Sequence, residues 1–385
     1  SLPKKIQFCS VCVTSNQRPR IIFKNGICSA CDYHKNLKPK INWKKREKEL
    51  KNLLNKHRSK NGDWDVLVPV SGGRDSSFVA HQLKEKYKMH PLCITFSPFK
   101  YTNIGFQNFE NFSESGFNVL SFSPNGKIYK TLSRIAFEEL GDNFTPFVFG
   151  QMGYVQHIAN KFNVKLVFYG ELAELEYGGN PKEVKKGVVA RKKMEKHYFK
   201  GSNVNELIKH GLKNYPKLLK KNDFSKSDIN MFELPKTLKG KNNWYSHYYY
   251  WKPQYNYYYT FKNNQFRPKF LRSVGTYTKC NSLDDKLDWL HYYMMYIKLG
   301  IGRATSDASR DIREGLITRQ EGCNLVKQFD HEILDDNVDY ACNYLGINKK
   351  KFEEIVDSFR SNHLWTKKNG KYRLRHTVNK DGVDD

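Results

Sequence analysis

A chain of 385 residues, 39% hydrophobic and 14% aromatic, is long enough to bury a core in two or three structural units and too apolar for global disorder. No apolar run reaches the length of a bilayer and no positive-then-apolar leader pattern opens the chain, so membrane insertion is not expected and the cytoplasm is the expected compartment. The formal charge of +27 attracts polyanions whatever the fold, but it does not choose among nucleic acid, nucleotide and acidic sugar, and much of it is lysine in polar stretches such as 182–200.

In chain order, residues 1–40 carry Cys9-Ser-Val-Cys12 and Cys28-Ser-Ala-Cys31, with a glycine turn at Gly26 before the second pair. Two CxxC knuckles at this spacing predict a zinc ribbon, a closed site of four thiolates with no open position for chemistry. A unit this small has too little core to fold without the ion. The remaining cysteines, Cys93, Cys280, Cys323 and Cys342, are scattered, as suits a reducing compartment. Residues 41–62 form a basic linker, helix-compatible from Trp43 to His57.

From 63 to 180 the pattern alternates. Strands are predicted at 66–70, 92–96, 119–122 and 166–169, with helices at 76–87, 102–116, 127–140 and 151–162. The expected fold is therefore an α/β doubly wound parallel sheet covered by helices on both faces. Residues 181–243 read as a variable lysine-rich insertion. The region 244–385 opens with an aromatic-rich stretch, Trp244 to Phe261, which suits core packing and a ligand wall equally, and continues as a mainly helical substrate region.

The chemistry is concentrated between the first strand and its helix, in Ser71-Gly72-Gly73-Arg74-Asp75-Ser76-Ser77. Glycines there let backbone N–H groups approach an anion, and the helix N-terminus adds its positive end. Ser71, Ser76 and Ser77 offer hydroxyls, Asp75 can ligate Mg²⁺, and Arg74 can reach phosphate. The Lys-Ser/Thr ending of a P-loop kinase or GTPase is missing. Ser-Gly-Gly-x-Asp-Ser is instead the form found in ATP pyrophosphatases of the HUP type, in which a substrate oxygen attacks the α-phosphorus and pyrophosphate leaves. ATP and Mg²⁺ are thus the expected cofactors beside structural Zn²⁺.

Several distant segments in order, the ribbon, Val68 to Ser77, Tyr169-Gly-Glu171 leading to Glu176-Tyr-Gly-Gly179, and Ile297-Lys-Leu-Gly-Ile-Gly-Arg-Ala-Thr-Ser-Asp-Ala308, resemble the N-acetyl sugar amidotransferase family. Gly105-Phe-Gln-Asn-Phe109, Trp251-Lys-Pro-Gln254 and Gly275-Thr-Tyr-Thr-Lys279 running into Ser282-Leu-Asp-Asp285 fit it too. The resemblance implies conversion of an acetamido group on a bacterial surface sugar, of the lipopolysaccharide O-antigen or pseudaminic and legionaminic acid (flagellin glycosylation) pathways, into an acetamidino group. The amide oxygen would be adenylated and ammonia would expel AMP. No glutaminase nucleophile is evident in this chain, so a separate glutaminase with a cyclase-like subunit is the expected ammonia source.

Catalytic candidates are Asp75, Glu171, Glu174 and Glu176. Phe96, Ser97 and Gly170 are placed with the loop at the nucleotide, and Tyr177, Tyr277, Arg303, Asp307 and Arg310 at the substrate, the arginines because a guanidinium suits a sugar carboxylate. Two other readings stand beside this one. A tRNA-thiolating ATP pyrophosphatase would explain the charge but needs a reactive core cysteine, and a non-catalytic nucleotide-binding scaffold needs only the loop. A nucleic acid is not the expected partner.

Overall fold

The computed structural model describes residues 5–179 and 201–378, together with Glu195 and Phe199. Its first unit is small. β1 (Phe23–Lys24) and β2 (Ile27–Cys28) form an antiparallel hairpin with Gly26 in the left-handed region, and α1 (Ser29–Asp32) follows at once. α2 (Trp43–His57) has the range expected for the linker helix. Asn42 caps it, accepting from the Lys45 amide at 2.9 Å, and it lays Leu50 and Leu54 on the sheet.

The sheet is parallel and five-stranded. It holds β3 (Val66–Pro69), β4 (Pro91–Phe96), β5 (Val119–Phe122), β6 (Leu166–Tyr169) and β7 (Lys241–Trp244), in the spatial order β5-β4-β3-β6-β7. Alternation along the strands divides two cores. Leu67, Leu92, Ile94 and Val167 face α5 (Gly126–Leu140) and α6 (Thr145–Lys161), while Val66, Val68, Cys93, Leu166 and Phe168 face α2 and α3 (Arg74–His81). This is the doubly wound arrangement the alternation predicts. The chain runs outward from β3 through α4 (Asn103–Glu114) to β5, then returns to place β6 on the other side of β3. That reversal opens a crevice at the carboxyl ends of β3 and β6.

Two boundaries differ from the sequence reading. The sheet does not stop near residue 180, because Lys241–Trp244 adds a fifth strand. Its Asn242 and Asn243 are buried, and the Asn242 side-chain carbonyl accepts from the Gln156 amide at 2.8 Å. Residues 201–243 thus add a strand to the sheet and side chains to its core. Val204, Leu207 and Ile208 of the helix Val204–Asn214, with Leu219, Phe232 and Leu234, belong to the main core, so apolar burial, not lysine content, decides this segment's place. Residues 181–194, 196–198 and 200 of the expected insertion lie outside the described residues. α6 also begins at Thr145, six residues before the predicted start, with Pro146 in its first turn where the missing N–H costs nothing.

Beyond β7 the chain is helical as expected, over Pro253–Asn263, Asp288–Leu299, Arg303–Arg313, Arg319–Phe329, Asp335–Leu345 and Lys349–Ser358, and it ends in a hairpin of β8 (Trp365–Lys368) and β9 (Lys371–Leu374). No described helix is long and apolar enough to cross a membrane.

Candidate nucleotide and substrate cleft

The loop after β3 owes its shape to one close approach. Gly72 has φ +81°, and a Cβ there would stand 2.5 Å from the Phe109 amide nitrogen and 2.7 Å from the Asn108 carbonyl carbon, so the chain passes directly over the backbone of α4. Gly73 is the N-cap of α3 and supplies no side-chain cap, which leaves the first-turn amides of the helix turned toward the crevice. The Ser71 hydroxyl accepts from the Gly73 amide at 3.3 Å, Ser76 donates to the Gly73 carbonyl at 3.3 Å, and the buried Ser77 hydroxyl has no hydrogen-bond partner. Free amides, an orphaned hydroxyl and a helix N-terminus are the parts of an anion cradle.

The cradle opens on a cleft of about 390 Å³. Ser71, Gly73, Arg74, Asp75 and Ser76 line one side, Thr95 and Phe96 come from the end of β4, and Gly170 and Glu171 from the end of β6. Phe96 is seated against Gly150 of α6, where any Cβ would fall 2.0 Å from its ring. Asp75 is held from two sides: the Asn256 side-chain amide donates to Oδ1 at 2.8 Å and Arg74 Nε to Oδ2 at 3.2 Å. Glu171 is pushed up to about 7 by burial and by the negative charge of Asp75, against the pull of Arg310.

The fourth wall comes from the C-terminal region. Residues 280–285 run along the cleft, with Asp288, Tyr292 and Arg303 beyond them. Backbone bonds fix this segment to the chain that follows β4: the Thr102 amide donates to the Asp284 carbonyl at 3.1 Å and the Lys286 amide to the Lys100 carbonyl at 2.9 Å. Burial raises the Asp284 carboxyl to about 6, although Ser71 bonds to it. It also raises Asp285 to about 7, although the Phe99 amide donates to it at 2.6 Å and the Leu287 amide at 2.8 Å. Asp284, Asp285, Asp288, Asn256 and Cys280 were missed by sequence reasoning. The run Ser282-Leu-Asp-Asp285 was the available signal for two of them, but only tertiary packing brings it to the loop.

Of the residues read from sequence, Ser71, Gly73, Arg74, Asp75, Ser76, Phe96, Gly170, Glu171 and Arg303 line the cleft; Gly72 and Ser77 shape it from behind. Ser97 instead bonds the Ser123 hydroxyl at 2.9 Å and does not line it. Asp307 is buried beneath Arg303, at 3.3 Å from its Nε, and also takes Thr276 Oγ1 at 2.7 Å and Asn281 Nδ2 at 3.0 Å. Arg310 ion-pairs with Asp307 at 3.6 Å, and the Tyr277 hydroxyl donates to Asp311 at 2.6 Å, so these two brace the helix Arg303–Arg313 and do not line the cleft. Tyr177 approaches Glu171, its hydroxyl 3.5 Å from Oε1.

Two catalytic candidates are corrected. α7 (Ala173–Glu176) turns Glu174 and Glu176 away from the cleft toward the ribbon, where Glu174 pairs with Arg20 at 2.6 Å and Glu176 with His34 at 3.3 Å. Their closeness to Glu171 in sequence is undone by one turn of helix. The aromatic stretch resolves as packing: Phe78 of α3 is ringed by Tyr245, Tyr249, Trp251, Tyr255 and Tyr259, with centroids 5.2–6.1 Å away.

The sulfurs of Cys9, Cys12, Cys28 and Cys31 all lie within 4.8 Å of one another, and those of Cys12 and Cys28 are 3.7 Å apart. Four thiolates about 2.3 Å from a tetrahedral zinc sit about 3.8 Å apart, so the donor set fits the ion. The amides of Val11, Cys12 and Cys28 point at the Cys9 sulfur at 3.3–3.5 Å. Arg319, from the C-terminal region, donates to the carbonyls of Cys9 and Cys12 at 3.2–3.3 Å and binds the ribbon to that region.

Fold and cleft together define a doubly wound α/β protein with a glycine-containing loop at its strand switch point. Residues 245–379 match the family described as "LPS biosynthesis protein WbpG-like, C-terminal domain". An uncharacterized protein of Methanocaldococcus jannaschii is 34% identical over 86 residues, 22% of this chain, which spans 31% of that protein's length. Among solved structures, an NH3-dependent NAD synthetase of Campylobacter jejuni is similar with a TM-score of 0.27 and 16% identity, over 51% of this chain and all of that one. An NMN synthetase of Francisella tularensis gives 0.26 and 15%, over 51% of this chain and 79% of that one.

Proposed function

We propose that this chain is an ATP-dependent amidotransferase that converts the acetamido group of a bacterial surface sugar into an acetamidino group. What carries the reading is the meeting, in one cleft, of the Ser71–Ser77 cradle with the carboxyls of Asp75, Glu171 and Asp284. The similarity of residues 245–379 to a lipopolysaccharide-biosynthesis domain supports the substrate class.

The first-turn amides of α3 and the Ser77 hydroxyl hold the β- and γ-phosphates, and Arg74 adds a cation at the same edge. Asp75, with Asp284 or Glu171 across the cleft, offers the hard oxygen ligands that Mg²⁺ takes, and the ion when bound neutralises phosphate charge. The amide oxygen, enriched in electron density by resonance with nitrogen, attacks the α-phosphorus and pyrophosphate leaves. Ammonia then adds its lone pair to the imidate carbon, the C–O bond breaks to release AMP, and one proton is lost to give the amidine. Glu171, whose carboxyl is pushed up to about 7 by burial, accepts that proton in this reading. The ammonia comes from a separate glutaminase, since ammonium has no lone pair to offer.

One observation favours a second reading. Cys280 lines the cleft beside the loop, where a sulfur-transfer enzyme would need a thiol; burial raises its thiol above the ordinary value, which works against a resting thiolate. Mass spectrometry of N-acetylated sugar acids incubated with the protein, ATP, Mg²⁺ and ammonium separates the two. Replacement of one acetyl oxygen by NH, matched by AMP release, is the expected result. AMP release only on addition of tRNA would replace this function with the thiolating one.

A further inference from the structure

A buried charge is costly unless an opposite charge accompanies it. Two of the arginines near the cleft meet that rule. Arg303 pairs with Asp307, and Arg310 with Asp307 and Asp311. Arg18 of the ribbon does not: among the described residues no carboxylate pairs with it, and its guanidinium stands over the Tyr177 ring, 5.4 Å from the centroid. Burial lowers its affinity for the proton; Tyr177 and Tyr292 work the other way, while Arg313 and Arg20 add repulsion. Tyr177 reaches toward Glu171 at the cleft, and Tyr292 lines the cleft under Arg303, whose Cζ lies 4.4 Å from its ring centroid. A half-buried cation from the cysteine-ribbon unit, with no carboxylate paired to it among the described residues, thus stands behind Tyr177, whose hydroxyl reaches Glu171 at the cleft.

We propose that Arg18 is a substrate-binding residue, and that with Arg303 it receives an anionic group of the sugar substrate, a carboxylate or a phosphate. The ribbon is then part of the substrate site as well as a fold support. A guanidinium fork matches either oxyanion, and a charge-assisted pair in this setting sets specificity by leaving Arg18 uncompensated when a neutral sugar binds. The identity of the ligand as a sugar rests on the proposed function above.

The test is equilibrium binding by calorimetry in the presence of ATP and Mg²⁺, using an N-acetylhexosaminuronic acid, its methyl ester and a UDP-N-acetylhexosamine. The proteins are the full chain and its Arg18→Gln and Arg18→Lys variants, each checked for bound zinc. The expected result is a loss of roughly tenfold or more in affinity for one anionic ligand in Arg18→Gln, partial recovery in Arg18→Lys, and unchanged affinity for ATP. Dependence on Arg18 for the uronic acid but not its ester assigns a carboxylate, and dependence for the UDP-sugar assigns a phosphate. Affinities of Arg18→Gln within about twofold of wild type for every ligand overturn the proposal. Binding needs no turnover, so Arg18-dependent binding without amidine formation would refute the proposed reaction and leave this inference standing.

Discussion

Replacing Gly72 by alanine tests whether the loop is built as described. The new methyl carbon would lie 2.5 Å from the Phe109 nitrogen, 2.6 Å from its Cα and 2.7 Å from the Asn108 carbonyl carbon, all backbone atoms of α4 that no rotamer change can move aside. A left-handed alanine costs about 1 kcal/mol, and forcing packed backbone apart costs about 1–3 kcal/mol more, so Gly72→Ala is expected to lose about 2–4 kcal/mol of stability. If the loop lifts off α4 to relieve the clash, the strain is spared but the first-turn amides lose their aim, and ATP affinity falls instead. Urea unfolding and equilibrium dialysis of ATP on the full chain read the two effects. Gly126→Ala is the control, because a Cβ there meets nothing within 4 Å. A Gly72→Ala protein within about 0.5 kcal/mol of wild type and with unchanged ATP affinity would show that the loop does not rest on α4.

Further consequences concern charge, metal and thiol. Glu171 is raised to about 7 from an ordinary 4.5, so the folded state holds more protons than the unfolded state between those values, and stability falls as pH rises through that window. Glu171→Gln should remove about 1–3 kcal/mol of the loss that urea unfolding finds in the wild type between pH 4.5 and 8, and an equal loss in the variant would contradict the assignment. Chelation of zinc in mild denaturant should lower Tm. Arg319→Ala should speed release to a colorimetric chelator, because the Cys9 and Cys12 carbonyls lose their donor, and release as slow as in wild type would deny the clamp. Cys280→Ser is expected to keep AMP release with sugar within about threefold of wild type, since the thiol takes no part in amidine formation; complete loss would favour the sulfur-transfer reading.

Much of the site is visible in the chain because its chemistry is local. Ser71 to Ser77 lie between a β-branched run and an amphipathic helix, and that local order alone places a cradle at a strand end. Glu174 and Glu176 show where proximity in sequence misleads, since they follow Glu171 by three and five residues yet face the ribbon through one turn of α7. The strand Lys241–Trp244 is hidden for a different reason. Lys-Asn-Asn-Trp has none of the apolar alternation of a strand, and its asparagines are tolerated because Gln156 and the strand's own Lys241 carbonyl satisfy them. Asp284 and Asp285 reach the loop through backbone and side-chain bonds to residues near 100, a relation between positions some 180 apart that no spacing within the sequence announces. Arg18 is the same kind of case: only the folded chain reveals that no carboxylate among the described residues pairs with it.

The measurement that bears most directly on the reaction follows oxygen. An N-acetylated sugar acid carrying oxygen-18 in its acetyl carbonyl, incubated with the protein, ATP, Mg²⁺ and ammonium, should yield AMP that contains the label and a sugar that has lost it, because the amide oxygen leaves with the α-phosphoryl group. Unlabelled AMP accompanied by an unaltered sugar would contradict adenylation of the acetamido group.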